Sequence, residues 1–399
     1  MYNNAKFVCG RCFDNEGLVD YCLAYAQRRK CDFCGVAAKS LVAAPVADVL
    51  DHIRSCVFQH YDDPANAGLA YESAEGGYQG VTYYTVEILE FMELDFTRDK
   101  TGTLRDLVVR RLGNDLWSDA NPYILSPRQR LDFSWEHFCE IIKHRRRYFF
   151  LHEDANAADS EYKEIYTPAG ILQKIFEYAK DVGAFVEMPA NTRLYRARFQ
   201  PRGSKFQTAG TLGPPPQEVA FQTNRMSPPG IVMTYASEDL KTALAETIMD
   251  PGTYAIGEFL TNRNALILDL TQLPKTPSVF WEIPDSMPFD PRPSIGFLNS
   301  VSWEISRPIA RDNRIHIEYV PTQVVTEYVR SIVKLNGRRV DGIRYRSSRI
   351  PNKTAVVLFA DRENLVLEPS ERAEFYHLHR DRWLRLDRSR VKTVRRARS

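Results

Sequence analysis

The sequence predicts an α+β protein in several parts: an N-terminal zinc-knuckle module, a helical domain, and a domain built on a mixed β-sheet. Three observations predict this. Four cysteines near the start form two C-x2-C pairs. From Val46 to about Val182, apolar residues recur at helical spacing. From Arg193 onward, short alternating or wholly apolar runs take over, with one clear helix between Ser237 and Ile248, for which Ser237 is the expected N-cap.

The chain has 399 residues, enough for two or three domains, and its 44% hydrophobic content supports sizeable cores. With 53 Lys and Arg against 51 Asp and Glu, the net charge is only +2, so the whole molecule is not a polyelectrolyte binder. Met1 to Gly10 lacks the basic and apolar regions of a signal peptide, and no apolar run reaches the length of a membrane span. The expectation is a soluble cytoplasmic protein with no membrane partner.

Cys9-Gly-Arg-Cys12 and Cys31-Asp-Phe-Cys34 are separated by eighteen residues. A two-residue gap lets both thiolates of a pair face one ion, and two pairs complete a tetrahedral sulfur site. Gly10 and Gly35 suit the tight turns such knuckles need. Disulfides and buried free thiols are the competing readings, but a secreted disulfide scaffold does not fit a chain this long without an export signal. The expected ion is Zn2+ in a closed, structural role. Cys22, Cys56 and Cys139 have no partner pattern and read as core residues.

Val46 to Ile53 and Val86 to Met92 have helical spacing, with the turn-rich Asp62 to Asn66 and Glu75 to Gly80 between them. A stronger helix is expected from Ser134, with Ser134 as N-cap, basic residues in the last turn, and Trp135, Phe138, Ile141 and Ile142 as its buried stripe. Glu153 to Glu161 reads as a linker, and Pro168 to Val182 as a further helix. Arg193 to Phe199, Ile231 to Tyr235, Tyr254 to Leu260, Leu266 to Leu270 and Val356 to Ala360 read as strands. The region from Pro274 to Glu304 reads as an insertion or a lid. No G-x-G-x-x-G follows a strand and no G-x4-G-K-[ST] occurs, so neither a Rossmann nor a P-loop site is supported.

Leu194-Tyr-Arg-Ala-Arg198, Leu212-Gly-Pro-Pro-Pro216, Asn224-Arg-Met-Ser-Pro-Pro-Gly230 and Tyr235 to Glu246 closely resemble, in this order, the RES domain. Glu318-Tyr-Val-Pro-Thr-Gln323 and Asp341-Gly-Ile-Arg-Tyr-Arg-Ser347 fit the same pattern, so the resemblance runs from about Asn191 to Glu368. The paired cysteines, Glu75-Gly-Gly-Tyr-Gln79 and Trp135-x2-Phe-Cys139 resemble the N-terminal domain found before RES or HEPN domains. The resemblance implies an ADP-ribosyltransferase-like fold and NAD+ as substrate. It also implies a toxin or defence effector with an antitoxin or protein target as partner.

Cleaving a nicotinamide–ribose bond passes through an oxocarbenium-like state, which needs a carboxylate near the ribose, cations on the pyrophosphate and an aromatic face. Glu246 lies at the border of its helix's apolar face, about 60° from Ala243. By spacing alone it reads as a solvated surface glutamate; the resemblance assigns it the ribose-cation role. Arg196 is the expected family arginine, and Arg225 a second phosphate candidate, weakened because Asn224 and Met226 stand where a glycine and tryptophan are common. Their plain reading is surface charge or an internal salt bridge. Tyr195 and Tyr235 read equally as stacking residues or as core. Ser347 is expected to bind ribose or nicotinamide, with Ser348 adjacent and a turn serine the plain reading.

Arg147 and His152 have the R-x4-H outline of a HEPN ribonuclease site, and Arg372 and His377 repeat it; both are weak matches. Arg380 to Ser399 carries nine Lys or Arg against two Asp, net +7, with Trp383 its single tryptophan. A solvated tail and a nucleic-acid contact are the two readings. The expected parts are a zinc module at 1–40, a helical domain at 41–182, a RES catalytic domain at 183–370 and a basic tail at 371–399. The alternative function is a non-catalytic module that binds NAD or ADP-ribose.

Overall fold

The computed structural model describes residues 6–150, 164–248, 250–310, 312–367 and 381–394. Two units divide the chain: 1–130 with 275–293, and 131–274 with 294–399. Glu153 to Glu161, His152, Arg372 and His377 lie outside the described residues.

In the first unit, β1 (Phe7–Val8) pairs antiparallel with β2 (Ala44–Pro45), and the two cysteine knuckles lie between them in sequence. Helix α1 (Glu16–Ala24) starts at Asn15, whose side chain accepts from the Gly17 and Leu18 amides. Helix α2 (Val46–Phe58) buries Val49, Leu50, Ile53, Cys56 and Val57, the stripe its spacing predicts. Short strands β3 (Tyr61–Asp62), β4 (Tyr71–Glu72), β5 (Gly77–Tyr78), β6 (Tyr83–Tyr84) and β7 (Leu116–Asp119) accompany α3 (Thr85–Phe91) and α4 (Leu104–Leu112). Phe13, Ile53, Ile88, Leu104 and Trp117 fill the core, together with Phe280 from the 275–293 segment.

The second unit begins within α5 (Pro127–Glu140), which is continued by a wide turn at Ile141–Arg145 and followed by α6 (Pro168–Asp181). Ser134 is not the N-cap expected of it. It sits buried inside α5, and its hydroxyl accepts the Tyr166 amide at 2.8 Å. The helix therefore starts earlier, at a Pro that suits a first turn. Phe138, Ile141 and Ile142 are buried and Trp135 packs against the same core.

Strands and helices then alternate irregularly: β8 (Phe185–Met188), β9 (Arg193–Phe199), α7 (Ala209–Leu212), β10 (Thr234–Ala236), α8 (Leu240–Thr247), β11 (Gly252–Thr261), β12 (Ala265–Asp269), α9 (Arg292–Ser306), α10 (Ile315–Glu318), α11 (Val320–Ser331), the hairpin β13 (Lys334–Leu335) and β14 (Arg338–Arg339), β15 (Gly342–Arg346), β16 (Thr354–Leu358), β17 (Leu365–Val366) and β18 (Leu384–Val394). One sheet has the order β10-β16-β15-β12-β8 and the other β17-β18-β11-β9. Among the described residues, only β12–β15 and β17–β18 are parallel pairs within them. The architecture is the mixed α+β expected. Among the described residues no helix is long and apolar enough to cross a membrane.

The stretch Leu384–Val394, expected within a basic tail, is instead a strand paired with β11 along its length. Trp383 is buried beneath Arg263, with the guanidinium 4.6 Å from the ring. Charge conceals the strand in the sequence: only Leu384 and Leu386 at its start turn inward, while the residues from Asp387 to Thr393 are exposed, so no alternating apolar pattern marks it.

Candidate functional site

The two sheets of the second unit meet where β9 and β10 approach. Tyr195 and Ser237 exchange both backbone hydrogen bonds, at 2.7 and 2.9 Å. This bridge sets Arg196 of β9 beside Tyr235 of β10, and the Arg196 Nη1 donates to the Tyr235 carbonyl at 2.8 Å. The Arg196 Nε is buried and meets no acceptor among the described residues. Burial, with Arg198 nearby, pushes the Arg196 guanidinium down to about 10. A buried guanidinium with an unused donor is primed for an anionic or polar ligand, since the vacant donor costs free energy until it is paired.

Helix α8 carries Glu246. Its N-cap is Asp239, whose carboxylate accepts the Thr242 amide at 3.1 Å, and not Ser237, as the spacing suggested. The Ser237 hydroxyl instead donates to the Thr354 carbonyl and accepts from the Asp239 amide. Lys353 holds the cap carboxylate at 2.8 Å, and Arg344 bridges Glu238 to buried Asp269. Leu244, with Leu240 and Ile248, packs on Ala197, Tyr254 and Ile256. These contacts orient the helix so that Glu246, half-buried at the border of the apolar face, meets the loop after β15.

There Ser347 donates to Glu246 Oε1 at 2.5 Å, joining residues 101 positions apart. The same hydroxyl oxygen accepts the Arg349 and Ile350 amides, both at 3.2 Å. A serine has one proton, and those two amides leave it pointing at the carboxylate. The sequence expected Ser347 to bind ribose or nicotinamide. The structure shows its hydroxyl engaged with Glu246, and it is Ser347 rather than Ser348 that makes this bond.

Tyr235 neighbours Tyr345, which in turn neighbours Glu246. Its hydroxyl accepts the Met226 amide at 3.2 Å and shares a 3.0 Å hydrogen bond with Ser227. Burial pushes its phenol up to about 12. Tyr345 is buried, and desolvation followed by the Glu246 charge raises its phenol far above the usual range. Neither ring ionises near neutrality, so Tyr345 is a neutral wall beside the carboxylate. In the sequence Tyr345 stands only as part of the motif that ends at Ser347; its burial near Glu246 is a tertiary fact.

Arg225 is placed differently from a free phosphate ligand. Its Nη1 and Nη2 donate to the carbonyls of Ile305 and Arg307 at 2.9 Å each, at the C-terminal end of α9, and its guanidinium lies 5.4 Å from the Tyr319 ring centroid. It thus caps a helix whose last carbonyls lack partners within the helix. Tyr195 occupies the side of β9 opposite Arg196, because successive side chains alternate. That is the side of Ala197, on which α8 packs, and Arg390 lies 5.8 Å from the Tyr195 ring centroid. The structure therefore joins Glu246 to Ser347 and sets it near buried Tyr345, and joins Arg196 to Tyr235; the charges of Arg196 and Arg225 both reach Tyr235, and Tyr195 lies on the far side of its strand from Arg196.

In the first unit, Cys9, Cys12, Cys31 and Cys34 converge, their sulfurs all within 4.8 Å of one another. The closest pairs are 3.5 Å (Cys9–Cys34), 3.6 Å (Cys12–Cys31) and 3.9 Å (Cys9–Cys12). Tetrahedral zinc at about 2.3 Å from each sulfur requires sulfurs about 3.8 Å apart, so the donor set fits. Hydrogen bonding to Cys31 and Cys9, with burial, drives the Cys12 thiol up, while the bonds from Cys12 and Cys9 draw Cys31 down. Crowded thiols compete for protons, and a divalent cation would relieve that competition.

With the geometry established, comparison of the chain with known families matches residues 24–156 to HEPN/RES N-terminal domain 1 and residues 193–381 to the RES domain. The chain is a RES domain protein with a HEPN/RES-type N-terminal domain. No curated protein and no solved structure matches it.

Proposed function

We propose that the second unit cleaves the nicotinamide–ribose bond of NAD+, as a glycohydrolase, phosphorylase or ADP-ribosyltransferase. One observation carries the reading: the Ser347 hydroxyl is held on the Glu246 carboxylate while Arg196, with an uncommitted buried donor, sits beside Tyr235. An arginine, a glutamate and a serine that lie far apart in sequence are those the resemblance named. Two sheets joined at the Tyr195–Ser237 bridge are compatible with an ADP-ribosyltransferase-like cleft.

In this reading NAD+ places its ribose against Glu246. The carbon–nitrogen bond to nicotinamide breaks, its electron pair leaves with nicotinamide, and the Glu246 carboxylate stabilises the positive charge on the ribose. Ser347 keeps the carboxylate oriented, so that little reorganisation is needed as charge develops. Arg196 donates to the ligand's anionic or polar oxygens, and the Tyr235 and Tyr345 rings keep water from the nicotinamide side. Water, phosphate or a protein side chain then captures the ribose. Arg225, whose charge reaches Tyr235 and Tyr345 while it holds the end of α9, adds positive potential on that side. The cellular setting is that of a cytoplasmic toxin or defence effector restrained by an antitoxin. The four-cysteine centre holds structural Zn2+.

The test is NAD+ consumption by the purified full chain beside Glu246→Gln, with and without phosphate and with lysate as a source of acceptors. Turnover that disappears in Glu246→Gln supports the reading, and the product identifies the acceptor. Equal NAD+ binding by both forms with turnover by neither would replace it with a binding module.

A further inference from the structure

We propose that the four-cysteine centre is a lock on the strap formed by residues 275–293, so that the metal state of the N-terminal module decides whether a segment from the middle of the RES sequence is held or released. The inference rests on the metal reading above and goes beyond it.

The strap leaves the second unit after β12 and returns to it as α9, yet it folds with the first unit. Its contacts gather on the residues that follow the first knuckle. Asn15, 6% exposed, caps α1 with a side-chain oxygen that also accepts the Ser278 hydroxyl at 2.7 Å. Gly17 lies directly under the strap: a Cβ there would stand 2.7 Å from the Trp281 nitrogen and 2.8 Å from the Phe280 carbonyl carbon. Phe280 is fully buried in the core that includes Cys9, Cys12 and Cys31. On the other side, the Phe280 carbonyl lies 2.8 Å from His52 Nε2, and the His52 ring stacks on Tyr21. Arg292, nearly buried, closes the strap by donating to the Val279 carbonyl at 2.7 Å while pairing with Asp290.

The knuckle backbone and this receptor are one piece. Gly10 packs against α1 so closely that a Cβ would stand 2.2 Å from Val19 Cα. Only Phe13 and Asp14 separate Cys12 from the Asn15 cap, and Glu16 is the first helical residue. A zinc-bound Cys12 therefore fixes the position of Asn15 and of the α1 N-terminus that receives Ser278 and Phe280. Without the cation, four crowded thiols separate, the knuckle turn loses its anchor, and the cap and the glycine surface move with it. At the other end the strap runs into α9, whose C-terminal carbonyls hold Arg225.

Hydrogen–deuterium exchange on the full chain tests the lock, with zinc content measured in parallel. With zinc bound, the amides from 278 to 281 should be protected. Chelation should raise their exchange at least about tenfold while amides in β11 and β12 stay unchanged. Gly17→Ala keeps all four cysteines and suits a helix, but expels the strap. It should expose the strap in the zinc-loaded protein and, by reciprocity, weaken zinc binding. Ser278→Ala, a milder change, should do the same by about 3- to 10-fold. A protein that binds no metal when supplied with zinc overturns the metal reading and the lock with it. Stoichiometric zinc whose removal leaves the strap protected, together with unchanged zinc affinity in Gly17→Ala and Ser278→Ala, overturns the lock alone.

Discussion

Replacing Ser347 with alanine removes one oxygen but several interactions. The 2.5 Å bond to Glu246 disappears, and the Arg349 and Ile350 amides lose their shared acceptor. A hydrogen bond to a charged group is worth about 1.5–3 kcal/mol, and Glu246 is half-buried, so solvent replaces it only in part. If the carboxylate acts in the transition state, that loss appears as a roughly 10- to 150-fold fall in kcat/KM. The assay is initial-rate NAD+ consumption at saturating and sub-saturating substrate. A positioning role predicts that kcat carries most of the loss, because a misaligned carboxylate binds substrate but stabilises the ribose cation poorly. Ser347→Thr, which keeps the hydroxyl, should recover most of the activity. Ser348→Ala should be nearly silent. A Ser347→Ala enzyme with activity close to that of the parent, or a Ser348→Ala enzyme that fails in its place, would refute the argument that Ser347 orients Glu246.

Three further outcomes are expected. Arg225→Ala should lower stability by about 1–3 kcal/mol, because two α9 carbonyls lose a charged donor; a thermal melt equal to that of the parent would show that the cap is dispensable. Gly10→Ala should lower both thermal stability and zinc retention, since a Cβ would press into the α1 backbone with no flexible side chain to give way; unaltered zinc release would contradict the packing. Alkaline titration should unfold the second unit partly through Tyr235. Its phenol is raised from 10.0 to about 12 by burial, so its contribution is fully present below pH 10 and is lost as pH rises through about 12. Tyr235→Phe should flatten the pH dependence of stability in that window, as followed by circular dichroism, and an unchanged slope would remove Tyr235 from the account.

Much of the fold was legible because it is local. The bounds of β9 coincide with the alternating run Arg193 to Phe199, and α2 buries the residues its spacing selects. The cysteine pairs converge as two short turns must. Other features depend on what lies across the chain. Ser134 looks like a cap because serine before an apolar run usually is one, but the helix extends back through Pro127 and the hydroxyl serves Tyr166 instead. Ser237 likewise yields its cap to Asp239, because Thr354 offers its hydroxyl a carbonyl. Strand β18 is hidden because most of its side chains are exposed and many are charged, while backbone pairing with β11, set from across the chain, defines it.

The sequence by itself determined which chemistry-bearing residue types are present, their order, and the families the chain belongs to. It determined the two knuckles too, since a two-residue gap leaves thiolates few other arrangements. Only the tertiary structure decided what those residues touch. It turned Ser347 toward Glu246, assigned Arg225 to the end of α9, and set Arg196 against the Tyr235 carbonyl. It also carried residues 275–293 into the unit that holds the cysteines. The physical reason is that spacing fixes a side chain's direction relative to its own helix or strand, whereas hydrogen-bond partners and burial are set by elements that approach from distant parts of the chain.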